Sequence, residues 1–348
     1  MVKILIVDDS IVVQEYLTYL FSSDPDITVV GVASSGSEAI KLVKLKKPDV
    51  ITMDIHMPVM DGYETTRIIM ETAPTPIVIV SGSSNPKETA NTYRALEAGA
   101  IAFVHRPPGL ENPKFPIFCK DLIQTVKLMS EVKVVKLFPR NRKVQIHPLR
   151  LEKAFENDVR SIQIIAMGAS MGGPIVIQKI LSTLPRDLPV PVLIVQHIAP
   201  GFVKGFQEWM SLTSGIKLKI AEDGERLQAG IGYIAPDNFQ MGVAPGKKIS
   251  LSNTPPENGF KPSINYLFRS VSKAFGQDAL GILLTGMGKD GAVELKAMKD
   301  NGALTIVQNE ESSIVFGMPG EALKIGAADH ALSPESIAKI LAKSGSNK

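Results

Sequence analysis

Short apolar runs recur along this chain at intervals that each leave room for one helix. In residues 1–125, KILIVD, TVVGVA, DVITMD, PIVIVS and AIAFVH read as strands. Helical periodicity lies between them, as in SEAIKLVKLKK and KETANTYRALEAG. Alternation of this kind predicts an open parallel sheet covered on both faces, with functional groups gathered at the carboxyl ends of its strands. From about residue 160 the pattern returns: SIQIIAMG, VPVLIVQHI and ALGILLTGM read as strands. PIVIQKILSTL, FVKGFQEWMSLTS, SINYLFRSVSKAF and AVELKAMKDNG read as helices. GIGYIAPDNFQMGVAPGKKISLSN has short alternating runs broken by Pro and Gly, which predicts a hairpin inserted in the sheet or added to it. The expected fold is α/β, with two doubly wound parallel-sheet domains: an N-terminal (βα)5 domain and a C-terminal α/β domain with an added β-hairpin.

With 348 residues, 44% of them hydrophobic, the chain can bury two sizeable cores. Cys119 is its one cysteine, so no internal disulfide forms, and it reads as a small helical hydrophobe. No apolar run reaches the length of a membrane span, and MVKILIVDDS is too short in apolar residues for a signal peptide, so a soluble cytoplasmic protein is expected, without membrane insertion. The net charge of +3 is unevenly spread. Residues 1–125 carry eleven Lys+Arg against fifteen Asp+Glu, whereas residues 126–161 carry nine against four. The basic stretch KVVKLFPRNRKVQIHPLR, with Pro139 and Pro148 as breakers, reads as a linker. Expected boundaries are 1–122 for the first domain, 123–160 for the linker and 161–348 for the second. No nucleic-acid readout motif accompanies the basic residues, so nucleic acid is not an expected partner.

In the first domain, strand one ends at Asp8 and Asp9, strand three at Asp54 and strand four at Ser81, while Arg106 follows strand five. One strand-end aspartate is explained by a helix cap. Three carboxylates converging on one edge repel each other unless a cation neutralises them, and hard oxygen ligands suit Mg²⁺. A carboxylate beside Mg²⁺ can accept a phosphoryl group. ILIVDDS, MDIHMPVMDG and FVHRPPG resemble a response-regulator receiver domain. The resemblance implies that Asp54 accepts the phosphoryl group. It implies that Asp8, Asp9 and the backbone carbonyl of His56 join Asp54 around Mg²⁺. It also implies switch roles for Ser81 and Phe103. Arg106 stands where the family carries lysine, replacing a point charge with a wider planar fork.

In the second domain the turn GASMGGP places Ser170 between a strand and a helix. Three readings of such a serine stand: a helix cap, part of an anion-binding turn, or a nucleophile. The glycine spacing matches neither GxxxxGK[ST] nor GxGxxG. A nucleophile needs a base and an acid. His197 ends the strand PVLIVQH, and Asp290 lies in the loop after ALGILL. Of the other histidines, His56 and His105 belong to the first domain, His147 to the linker, and His330 reads as structural. Asp290 alone is equally a helix cap. Together, three strand ends supply the parts of a triad in the order Ser…His…Asp.

GASMGGP, QHI, YIAPDNF, PPENGFKPSINYLF and LLTGMGKDGA resemble the catalytic domain of the chemotaxis protein-glutamate methylesterases. Receiver and catalytic domain together resemble the whole enzyme of that family. The resemblance implies hydrolysis of glutamate methyl esters on chemoreceptors, with deamidation of some receptor glutamines. It implies a triad of Ser170, His197 and Asp290, with the Met287 N–H in the oxyanion hole and no cofactor for the esterase. A histidine autokinase is the implied phosphodonor. Met171 departs from the smaller residue usual after the nucleophile. A receiver fused to a hydrolase also suggests that the unphosphorylated receiver covers the triad. The rival readings are a non-catalytic adaptor of the same fold and an esterase serving another signalling pathway.

Overall fold

A computed structural model describes residues 1–82, 93–109, 111–113, 115–132, 134 and 162–343. The chain divides into two compact units, Met1–Val144 and Gln145–Lys348. Most of the predicted linker, including His147, lies outside the described residues.

The first unit holds β1 (Val2–Val7), β2 (Ile27–Ala33), β3 (Val50–Met53), β4 (Ile77–Ser81) and β5 (Ala102–His105). They form one parallel sheet in the order β2-β1-β3-β4-β5. β3 and β4 are buried along their whole length, which explains why their sequences are apolar rather than alternating. The helix Gly36–Lys46 opens on Ser35, whose hydroxyl accepts the Glu38 N–H, while Glu38 reaches back to the Ser34 N–H. The helix Phe115–Ser130 buries Cys119, whose thiol hydrogen-bonds with the Tyr16 hydroxyl, and runs past residue 122, so residues 123–130 belong to this core through Val126 and Met129.

The second unit is a seven-stranded sheet, parallel throughout. Its strands are β6 (Ile164–Ala169), β7 (Val192–Gln196), β8 (Lys217–Ile220), β9 (Ile231–Ile234), β12 (Ala279–Leu283), β13 (Leu304–Gln308) and β14 (His330–Leu332). The order is β14-β13-β12-β6-β7-β9-β8. The chain leaves β6 toward β7 on one side and later returns as β12 on the other, so β6 marks the topological switch point where open sheets of this class bind ligands. The segment read as one hairpin divides. GIGYI enters the main sheet as β9, because its residues are buried against both neighbours. β10 (Gln240–Ala244) and β11 (Lys248–Ser252) pair antiparallel as a separate two-stranded sheet. This hairpin packs on the helix Ile264–Phe275, which buries Ile264, Leu267, Phe268 and Val271.

That helix meets β6 at Gly168, where an added Cβ would lie 2.3 Å from Ile264 Cγ2. Gly168→Ala therefore overpacks the centre of the sheet. A loss of about 1–3 kcal/mol is expected by denaturant titration of the second unit.

Candidate functional site

Ser170 directly follows β6, His197 directly follows β7, and β12 leads into the loop that carries Asp290. β12 and β7 flank β6, so Asp290 and His197 reach the strand before Ser170 from opposite sides. His197 Nε2 lies 2.9 Å from Asp290 Oδ2. Both side chains are buried, at 7% and 0% exposure. The other ring nitrogen, Nδ1, is buried and makes no hydrogen bond among the described residues. With Nε2 committed to the carboxylate, Nδ1 is the atom left to take and return a proton.

Asp290 accepts three further hydrogen bonds: from Ser263 Oγ at 3.0 Å, the Ile264 N–H at 2.8 Å and the Asn265 N–H at 3.2 Å. These donors form the N-terminus of the helix Ile264–Phe275, a natural anion site. Burial works to raise the Asp290 pKa. The His197 hydrogen bond and charge, with the Ile264 and Asn265 N–H groups, overcome it and hold the carboxyl below its ordinary value. The capping reading of Asp290 is thus realised on a helix other than the one that follows it. The following helix, Ala292–Asp300, has Gly291 as its N-cap at φ 88°, and the Gly291 N–H is accepted by Asn265 Oδ1.

Ser170 is not a helix cap. The helix Gly173–Leu181 has Gly172 in that place, at φ 76°, with no side-chain cap bond. The Ser170 N–H donates to Thr285 O at 3.0 Å, and its carbonyl accepts from the Gly173 N–H. The backbone N–H groups of Met171 and Gly172 find no acceptor among the described residues. Gly286 comes close on the other side, since a Cβ there would lie 2.6 Å from Ser170 Cβ. Met287 follows it in the loop. His330 sits at the start of the edge strand β14, apart from the triad's strands.

Two contacts escaped the sequence reading. Gln196 Nε2 donates to both Ser170 O, at 2.7 Å, and His197 O, at 3.0 Å, so one amide ties the turn at Ser170 to the turn at His197. Gly173 has to be glycine there, because a Cβ would lie 2.1 Å from Gln196 Oε1. Phe260 stacks on the His197 ring, centroid to centroid 3.9 Å at 4°. Both residues stand inside the motifs QHI and ENGFKPSINYLF. A motif reports that a segment matters, but the partner across the fold is visible only in three dimensions.

At the carboxyl edge of the first sheet, Asp8, Asp9 and Asp54 each offer a carboxylate oxygen within 4.8 Å of the others. Burial, helped by the Asp54 and Asp9 charges, pushes Asp8 up to about 6, against the Ser10 N–H and Arg106. Asp54 is likewise raised, chiefly by burial. Arg106 Nη1 stands 4.0 Å from Asp8 Oδ2. Its guanidinium lies over Gly82, where a Cβ would come within 2.2 Å of Nη2. Ser81 is buried at the end of β4, and its carbonyl accepts the Arg106 N–H. Phe103, on β5, meets the Tyr93 ring edge-on at 5.3 Å. His56 is exposed and lines a cleft of about 570 Å³ with Asp9, Asp61, Tyr63 and Arg94. The donor set is all hard oxygen, and burial disfavours the charged forms of Asp8 and Asp54, a cost that a divalent cation relieves.

Residues 165–341 match the family model of the CheB methylesterases, and residues 4–112 match that of the response regulator receiver domain. The chain is 52% identical over 342 residues to a protein of Geobacter metallireducens named protein-glutamate methylesterase/protein-glutamine glutaminase 4, covering 98% of each. It is 50% identical over 344 residues to a Syntrophus aciditrophicus protein named protein-glutamate methylesterase/protein-glutamine glutaminase 1, covering 99% of this chain and 98% of the other. The crystal structure of the Thermotoga maritima CheB methylesterase catalytic domain is similar with a TM-score of 0.51 and 33% identity, over 52% of this chain and 98% of that one.

Because its pKa is raised on folding, Asp8 opposes folding above about pH 6. In Mg²⁺-free buffer at pH 7, Asp8→Asn is expected to raise the thermal unfolding midpoint of the first unit. The gain should shrink as the pH falls below about 6 and disappear below the ordinary value of 3.8, where both folded and unfolded carboxyls are protonated.

Proposed function

The chain belongs to the CheB methylesterase family, and from that premise we propose that it hydrolyses glutamate γ-methyl esters on chemoreceptors and deamidates receptor glutamines, under control of phosphorylation at Asp54. The observation that carries the catalytic half is the buried His197–Asp290 hydrogen bond, which leaves Nδ1 without a hydrogen-bond partner among the described residues, on the residue that follows β7 as Ser170 follows the adjacent β6.

In this reading Ser170 Oγ attacks the ester carbonyl carbon while His197 Nδ1 takes its proton. The tetrahedral intermediate collapses, the C–O bond to the methoxy group breaks, and His197 returns the proton, so methanol leaves. Water, deprotonated by His197, then attacks the acyl-enzyme, which releases the glutamate carboxylate and restores Ser170. A glutamine side chain follows the same course with ammonia as the leaving group. Asp290 keeps the proton on Nε2 and stabilises the imidazolium. Its four donors keep it ionised and fixed in place. The oxyanion is received by backbone N–H groups, with Met287 in the role the family resemblance gives it and Met171 as the donor directly after the nucleophile, each worth about 3–4 kcal/mol.

In the receiver, Asp54 accepts the phosphoryl group from a histidine autokinase. Asp8, Asp9, Asp54 and the His56 carbonyl would hold Mg²⁺, which supplies the positive charge that this carboxylate cluster lacks. Ser81, Phe103 and Arg106 form the face that answers phosphorylation. Arg106 pairs with phosphoryl oxygens as a fork where the family's lysine acts as a point charge. The unphosphorylated receiver restrains access to the triad, and phosphorylation relieves it. Among the described residues no helix is long and apolar enough to cross a membrane, which is compatible with a cytoplasmic setting.

Methanol release from methylated receptor membranes tests both halves. Ser170→Ala should lower the rate at least about 10³-fold. Asp54→Asn should leave the basal rate intact and remove the rise produced by Mg²⁺ with a small-molecule phosphodonor. A Ser170→Ala protein as active as the wild type would exclude the triad, and an unchanged phosphodonor response in Asp54→Asn would exclude the phosphoacceptor assignment.

A further inference from the structure

Gln240 is the first residue of β10, in the hairpin that stands apart from the main sheet, and it is fully buried at 0% exposure. Its amide is used on both sides. Oε1 accepts the Ser263 N–H at 2.7 Å. Nε2 donates to Phe260 O at 3.2 Å and to Pro255 O at 3.4 Å. Only a neutral amide both accepts from an N–H and donates twice to carbonyls at such a position. The segment 255–263 is therefore held from inside by one side chain.

Two residues of that segment touch the His197–Asp290 pair. The Phe260 ring lies on the His197 imidazole at 3.9 Å. Ser263 Oγ donates to Asp290 Oδ1 at 3.0 Å, and Ser263 caps the helix whose next two N–H groups also bind Asp290. Gln240 touches neither His197 nor Asp290, yet it bonds to the backbone of a residue in contact with each.

The hairpin that carries Gln240 is itself pinned to the same helix. The Val243 N–H donates to Ser270 Oγ at 3.2 Å. From Ser263 to Ser270 the helix rises about 10.5 Å, and from Gln240 to Val243 the strand advances about 10 Å. The two attachments are therefore in step, and β10 runs along the first two turns of the helix. The fit is close enough that Gly242 leaves no room for a Cβ, which would lie 2.7 Å from Ser270 Oγ.

We propose that Gln240 is a positioning residue of the hydrolytic site, and that the β10–β11 hairpin serves as the brace from which it sets His197 through Phe260 and Asp290 through Ser263. The inference rests on the triad reading above. Without this amide, the Phe260 and Ser263 backbone groups lose their buried partners and the segment relaxes. The base and the acid then lose registry with Ser170, and a displacement of about 1 Å can cost about 100-fold in rate.

The test uses the full-length chain with Mg²⁺ and phosphodonor. Methanol release from methylated receptor membranes is measured, and reactive Ser170 is titrated with a fluorophosphonate, so that kcat is expressed per active serine and misfolded protein does not count. Gln240→Met removes every polar contact. Gln240→Glu keeps the size of the side chain and, when ionised, loses both donors. In each variant kcat per titrated serine should fall by about 10–100-fold while KM stays within about twofold of the wild type. A kcat per titrated serine within about twofold of the wild type, in either variant, overturns the proposal even where yield or melting temperature has dropped, and so does a raised KM at unchanged kcat. Ser170→Ala run alongside separates the two levels: its inactivity beside unaffected Gln240 variants refutes the brace alone, whereas activity in Ser170→Ala refutes the triad reading on which the brace depends.

Discussion

Much of the second unit is organised around one buried anion. An ionised carboxylate taken out of water costs several kcal/mol unless the protein replaces its hydration. Asp290, at 1% exposure, receives its replacement from four donors: one imidazole nitrogen, one hydroxyl and two helix N-terminal amides. The four donors impose two constraints. The imidazole fixes the end of β7, and the hydroxyl and amides fix the start of the helix Ile264–Phe275. That helix in turn packs on β6 at Gly168 and carries the β10–β11 hairpin. Sheet, helix and hairpin are thus positioned around the charge that holds the His197 ring.

The first unit uses the same residue type at the same kind of sheet edge to opposite effect. Asp8 and Asp54 are buried with too few donors and too many like-charged neighbours, so their pKa values rise where that of Asp290 falls. A carboxylate with a complete donor set is an electrostatic fixture. Carboxylates left short of positive charge suit a hard cation as a further partner. Environment alone separates the one aspartate with a complete donor set from the two that lack one.

Close backbone approach is the other recurring constraint. Gly62 abuts the Asp54 carbonyl, where a Cβ would lie 2.1 Å from its oxygen, and Gly173 makes room for the Gln196 amide between Ser170 and His197. In both places a glycine leaves room for a close approach, to the Asp54 carbonyl in one and to the Gln196 amide in the other.

The local pattern was sufficient for the strands and for the residues at their ends. Apolar-rich runs such as VITM and VLIVQ, short and alternating with helical segments, read as buried parallel strands, and the residues just beyond them lie at one edge. Asp8, Asp54, Ser170 and His197 follow from that logic alone. The division of GIGYI from the following hairpin did not, because both pieces alternate similarly and only packing against β7 and β8 separates them. Nor did the use of His197 Nε2 toward Asp290, the Phe260 stack, or the contacts of Gln196 and Gln240. Those depend on which distant segment arrives opposite a given atom. Periodicity carries the orientation of a side chain relative to its own strand or helix. It carries nothing about the partner that a crossover or a loop brings within 3 Å, and at this site those partners decide which nitrogen is free, which carboxyl stays charged and what holds them in place.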